Sequence, residues 1–218
     1  MKGLLVKDFC ILKMQKNVFL IMLAICVVFT VFMESPTYIV SLMPMYGCIA
    51  VLGTLTYDEF DRGYSFLFTL PVSKKGYVKE KYAFCLLLCG GTWIVSVLCS
   101  LLYVLVNGEI PIDVSLFLSY VTPLVLVLLL LGVALPVQLK FGNEKGRLAI
   151  VAVGLGVFLL IAGGAQLIKW LSIDVTAVLE KVSEIGAGTL GIFGLVVLVV
   201  FMGISYQISV HVMEKKEF

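Results

Sequence analysis

Residues 114–139 read VSLFLSYVTPLVLVLLLLGVALPVQL, a run of 26 residues without one charge. A helix rising 1.5 Å per residue crosses about 30 Å of hydrocarbon in about 20 residues, so this run is long enough to span a bilayer. Five more windows of this kind flank it, giving predicted spans at about 17–33, 35–57, 82–106, 114–139, 148–168 and 187–210. The first window, of 17 residues, is just adequate. Over all 218 residues, 61% are hydrophobic and 14% charged, with a mean hydropathy of +1.11. A soluble domain averages about 25% charged, so the main solvent of this chain is lipid. The residues outside the windows are split among short segments, none approaching the roughly 50 residues of an independent domain. The sequence therefore predicts an all-α integral membrane protein whose residues 1–218 form one transmembrane domain.

Basic residues orient it. With the N-terminus in the cytoplasm, fourteen of the sixteen lysines and arginines lie inside, and only Lys169 and Lys181 lie outside. That asymmetry places both termini and the 58–81 segment in the cytoplasm. Six of the fourteen acids (Glu34, Glu109, Asp113, Asp174, Glu180, Glu184) fall outside. A net charge of +2 gives no footprint for nucleic acid. The lysine-bearing start resembles a signal peptide only superficially, since the first apolar run ends at Glu34-Ser35-Pro36 without a small-residue cleavage site. It is read as retained. The six cysteines show no C-x-x-C pair and none lies in an outer loop, so they read as packing residues.

Several chemistries lack their residues. No G-x-x-x-x-G-K-[ST] loop is present, the nearest approach being GNEKGR at 142–147, so the chain is expected to hydrolyse no ATP itself. The windows contain no ionisable Asp, Glu, Lys, Arg or His, and the single His211 sits at the inner mouth of the last span. Intramembrane proteolysis, metal chemistry and proton-coupled carriage would need such groups. No catalytic residue and no metal ligand is assigned.

Three segments stand out. Residues 1–16 carry Leu4, Leu5, Phe9 and Leu12 at helical spacing, with Lys2, Lys7, Asp8, Lys13 and Lys16 toward other faces. This predicts an amphipathic helix in the inner headgroup layer, serving as an anchor or also touching a cytoplasmic partner. The 58–81 segment places Phe60, Tyr64 and Leu67 at helical spacing among further aromatics, Phe66 and Phe68, beside Asp58, Glu59, Asp61 and Arg62. Pro71 ends that helix, and Ser73 is the predicted N-cap of the next. The aromatics suit either the bilayer interface or a docked partner. In the third span, Thr92, Ser96 and Ser100 join Cys85, Cys89 and Cys99 in a stripe of small residues, read as a helix seam or a pathway lining. Outside, 169–186 carries an amphipathic pattern predicted to lie on the surface as a helix.

Met1-Lys2-Gly3-Leu4-Leu5-Val6-Lys7-Asp8-Phe9, Tyr57-Asp58-Glu59 and Thr69-Leu70-Pro71-Val72-Ser73-Lys74, followed by Tyr77-Val78 and Lys81-Tyr82, resemble the small six-span permease subunits of type-2 ATP-binding-cassette (ABC) exporters. The similarity is greatest to bacterial exporters of phenol-soluble modulins and other antimicrobial peptides. The resemblance implies a multi-pass protein of the bacterial plasma membrane and a cytoplasmic ATPase partner carrying ATP and Mg. It also implies a second permease chain, identical or related, and a coupling helix at 60–69 beside a connecting helix containing Lys7, Asp8 and Phe9. Uncharged windows suit a hydrophobic or amphipathic cargo, a peptide or lipid-like molecule. Two other readings of the same residues stand open: a homo-oligomeric channel or scaffold, and an immunity protein that binds an antimicrobial peptide without moving it.

The orientation is directly testable. In a cysteine-free background, Lys75→Cys should react with a membrane-impermeant maleimide only after cells are opened. Labelling from outside intact cells would invert the topology.

Overall fold

The computed structural model describes residues 2–60, 63–67, 69, 72–107, 114–170 and 187–216. Among them every regular element is helical: α1 Lys2–Met14, α2 Lys16–Phe32, α3 Thr37–Glu59, α4 Gly63–Leu67, α5 Lys74–Asn107, α6 Val114–Trp170 and α7 Ala187–Lys215. Four stretches are long and apolar enough to cross a membrane, namely Thr37–Glu59, Lys74–Val106, Leu118–Gly142 and Gly194–Lys215. The pair α1 and α2, bent by 63°, makes a fifth if it counts as one span. The predicted span 148–168 falls within α6, where side chains from 152 onward are outside the described set, as are residues 171–186 of the predicted outer helix.

The helix ends follow local chemistry. α2 closes with Glu34 in the left-handed region (φ 51). The Ser35 amide then donates to the Thr30 carbonyl (3.3 Å), the six-to-one bond of a Schellman turn. That turn folds α2 back on α3 within a few residues. Ser73 caps α5, its Oγ accepting from the Gly76 amide at 3.0 Å. One boundary differs from the sequence reading, which treated 140–147 as a loop between two spans. The chain is helical on both sides and turns at Gly142 alone, whose φ of +76 no side-chain-bearing residue adopts readily.

α3 is central, packing on α2, α5 and α6, while α7 packs on α5 and α6. The larger core joins α3, α5, α6 and α7 through Val51, Leu55, Phe84, Leu131, Leu135 and Met213. A smaller one at the other end gathers Cys26, Ile39, Val40, Met43 and Tyr120. Outward faces are apolar as well, for instance Leu20, Ile21, Leu102 and Val199, each about 60% exposed or more. Without a hydrophobic drive between helices in lipid, close packing and interhelical hydrogen bonds hold them together. Two such bonds are Ser100 Oγ to the Pro36 carbonyl (2.9 Å) and Trp93 Nε1 to the Tyr120 carbonyl (2.7 Å).

The α3–α5 approach is closest at Gly47, where an added Cβ would lie 2.9 Å from Thr92 Oγ1 and 3.6 Å from Cys89 Cα. Gly47→Val should therefore cost about 1–3 kcal/mol by overpacking and lower Tm in detergent. Gly53→Ala, on the same helix with open space around it, should raise stability by about 0.5–1 kcal/mol. Equal responses at the two positions would refute the close approach.

Candidate functional site

The basic end of the bundle is where α3 stops, α5 starts and α4 hangs between them. The last turn of α3 presents Asp58, and the first turns of α5 present Tyr77 and Lys81, four residues apart on one face. Asp58 Oδ2 accepts from the Tyr77 hydroxyl at 2.8 Å and lies 2.8 Å from Lys81 Nζ. Asp58 Oδ1 accepts from Lys7 Nζ on α1. Lys81 also donates to Asp8 Oδ2, and reaches Thr54 Oγ1 at 3.3 Å. Lys7 lies 3.3 Å from Asp8 Oδ1, an ion pair outside hydrogen-bond geometry.

Two ammonium groups and two carboxylates thus form one nearly buried cluster joining α1, α3 and α5. Asp8 and Lys81 are fully buried and Asp58 is 8% exposed. Each ion alone would cost several kcal/mol to bury, and their mutual pairing offsets that. Burial works against the charge on Lys7, but its hydrogen bond to Asp58 and the charges of Asp58 and Asp8 hold its pKa above the ordinary lysine value. Beside the cluster, Glu80 is fully buried, and neither of its carboxylate oxygens has a hydrogen-bond partner among the described residues.

The cluster reaches α4 through aromatic contacts. Tyr64 meets the Tyr77 ring edge-on at 5.8 Å, and Lys216 Nζ stands 5.4 Å over the Tyr64 ring. Burial pushes the Tyr64 phenol pKa up, so it stays neutral. The C-terminal end of α7 closes the same layer. Lys74 donates to the carbonyls of Lys216 (2.6 Å) and Glu214 (3.2 Å), and Lys216 to that of Leu139 (3.2 Å). Glu59 presses on Gly142, where any Cβ would collide with its carboxylate.

Of the residues singled out in the sequence, Asp58, Tyr64 and Leu67 face inward, and Phe60 is 70% exposed. Phe66 belongs to α4 but its side chain is not among those described, and Asp61, Arg62 and Phe68 lie outside the described residues. Lys7 and Asp8 enter the cluster, and Phe9 packs edge-on against Phe84 at 5.5 Å. Thr92, Ser96 and Ser100 are buried on α5 away from this end. Thr92 and Ser96 bond carbonyls of their own helix, whereas Ser100 reaches Pro36 and the Tyr120 hydroxyl. Sequence reasoning assigned no role to Tyr77, Glu80, Lys81 or Lys216. The available signal was the i, i+4 spacing of Tyr77 and Lys81 opposite an acid ending α3. Among the described residues, no group of histidine, cysteine or acidic side chains is arranged to hold a metal ion.

The family profile described as ABC-2 family transporter protein matches residues 3–214. The chain belongs to that family and is a multi-pass permease subunit of an ABC transporter, a machine whose ATPase is a partner subunit. No curated protein and no solved structure matches it significantly.

Asp8→Asn would leave Lys81 with Asp58 alone of its two carboxylates and the buried cluster with a net positive charge, and unbalancing buried ions in this way costs up to about 3–5 kcal/mol. Tm should drop sharply. In Asp8→Asn/Lys81→Met, the loss should be smaller than the sum of the single losses. Additive losses would mean that the two groups do not act as a pair.

Proposed function

We propose that this ABC-2 permease exports a hydrophobic or amphipathic cargo, with an amphipathic peptide as the leading class, from the cytoplasm of a bacterial cell. The working unit contains two permease chains of six spans each, identical or related, and two ATPase subunits. Both termini and α4 face the cytoplasm, where α4 is the coupling helix and α1 the connecting helix beside it. The observation that carries this reading is the unbroken chain of contacts from α4 to the spans. Tyr64 rests on Tyr77, Tyr77 donates to Asp58, and Asp58 binds Lys81 and Lys7.

Such a chain acts as a lever. When ATP closes the ATPase pair, a push on α4 arrives at α3 and α5 together, and through Lys7 and Asp8 at α1 and so at α2. No charge lies within the apolar windows, so a polar or ionic cargo would cross them without compensation. An amphipathic helix satisfies its own backbone and asks less of the walls. The ATPase-facing surface would be Phe60, exposed at the end of α3, with α4 beside it.

Inverted membrane vesicles containing this chain and its ATPase should take up a labelled amphipathic helical peptide only with hydrolysable ATP, and should take up no labelled hexose. Peptide bound without ATP-dependent uptake would replace export by the immunity reading. Phe60→Asp should weaken ATPase co-purification by about 30-fold, the equivalent of losing an anchor worth about 2 kcal/mol. Native co-purification and uptake in that variant would remove this surface from the coupling contact.

A further inference from the structure

The bend between α1 and α2 leaves a corner of about 430 Å³ that the transport reading does not use. Phe9 and Leu12 of α1, Phe19 of α2 and Leu88 of α5 form its walls, and Lys13 and Lys16 stand on either side of the bend. Its volume is within the roughly 300–1,000 Å³ of ligand sites. Thr92 lies against it too, but its hydroxyl is engaged at 3.0 Å with the carbonyls of both Leu88 and Cys89. The deep wall therefore offers methyl and ring surface.

Two physical constraints select the occupant. An apolar cavity stays dry, and a dry void forfeits the dispersion contacts its walls could make, which a hydrocarbon chain restores. Lys16 opens α2, whose next turns expose Val18, Leu20 and Ile21. The two ammonium groups thus stand where the chain passes from polar to hydrocarbon surroundings, the level of lipid headgroups. Lys7, Lys75 and Lys81 each pair with a carboxylate, whereas Lys13 and Lys16 pair with none among the described residues. An occupant with an acyl chain below and a negative charge at the mouth complements both features.

We propose that this corner binds an anionic glycerophospholipid, its phosphate held by Lys13 and Lys16 and one acyl chain laid against Phe9, Leu12, Phe19 and Leu88. The lipid fills the angle between α1 and α2 and fixes the bend of 63°. This site is independent of the cargo and of the ATPase contact.

The test uses the full chain in mixed micelles with equimolar phosphatidylglycerol and phosphatidylcholine of identical acyl chains, read by native mass spectrometry. The native chain should retain phosphatidylglycerol preferentially, and K13Q/K16Q should lose that preference, about fivefold for each lysine. K79Q, which removes an exposed lysine that does not line the corner, should keep it. Equal retention of the two lipids by the native chain overturns the proposal. So does a preference that survives in K13Q/K16Q or is lost equally in K79Q. A lipid-free dimer abolished by K13Q/K16Q would assign the corner to a second copy and overturn it as well.

Discussion

Asp58 is one carboxylate with three donors, and those donors come from two other helices. Lys7 reaches it from α1, and Tyr77 and Lys81 from α5. Its own helix, α3, packs on α2, α5 and α6, so the geometry at this one side chain is inherited by most of the bundle. Other contacts at the basic end connect to it through these donors. Tyr64 reaches α3 by way of Tyr77, and α1 is steered by Asp8 and Lys7 rather than by its apolar face alone.

The arrangement also explains how charged groups survive at the edge of a lipid-solvated protein. Two cations and two carboxylates within mutual reach leave no net charge to desolvate, and a neutral, fully paired cluster has steep geometric preferences. Such a cluster makes the ends of α1, α3 and α5 move together or not at all. For the coupling role proposed for α4, a five-residue helix, stiffness at the junction is the property that matters. Glu80, buried beside the cluster with no hydrogen-bond partner among the described residues, is a further carboxyl group outside this balance.

The windows of apolar residues were readable because lipid imposes a length and a composition that few other environments share. Pro71 and Ser73 likewise marked the start of α5 through local chemistry alone. Asp8 was not readable in this way. On a helical wheel it falls between Leu4 and Leu12, four residues from each, on the buried face, but sorting residues by type alone assigns a charge to water. Only the partner Lys81, 73 residues further on, makes burial affordable, and no local window contains both. Between 140 and 147 the departure from helical geometry is confined to Gly142. Gly142 can reverse the chain by itself, whereas composition suggested that several polar residues would share the turn.

The short Schellman turn at Glu34 bears on how the chain is made. Residues 1–60 emerge from the ribosome carrying α1, the α2–α3 hairpin and three of the four ions: Lys7, Asp8 and Asp58. Until Lys81 is made, the cluster itself has two carboxylates and one ammonium group. At elongation rates of about 5–20 residues per second, the interval is about 1–4 s. During it, Asp8 and Asp58 share Lys7 as the one cluster cation yet made, and the fourth ion that ties α5 to α1 and α3 arrives last.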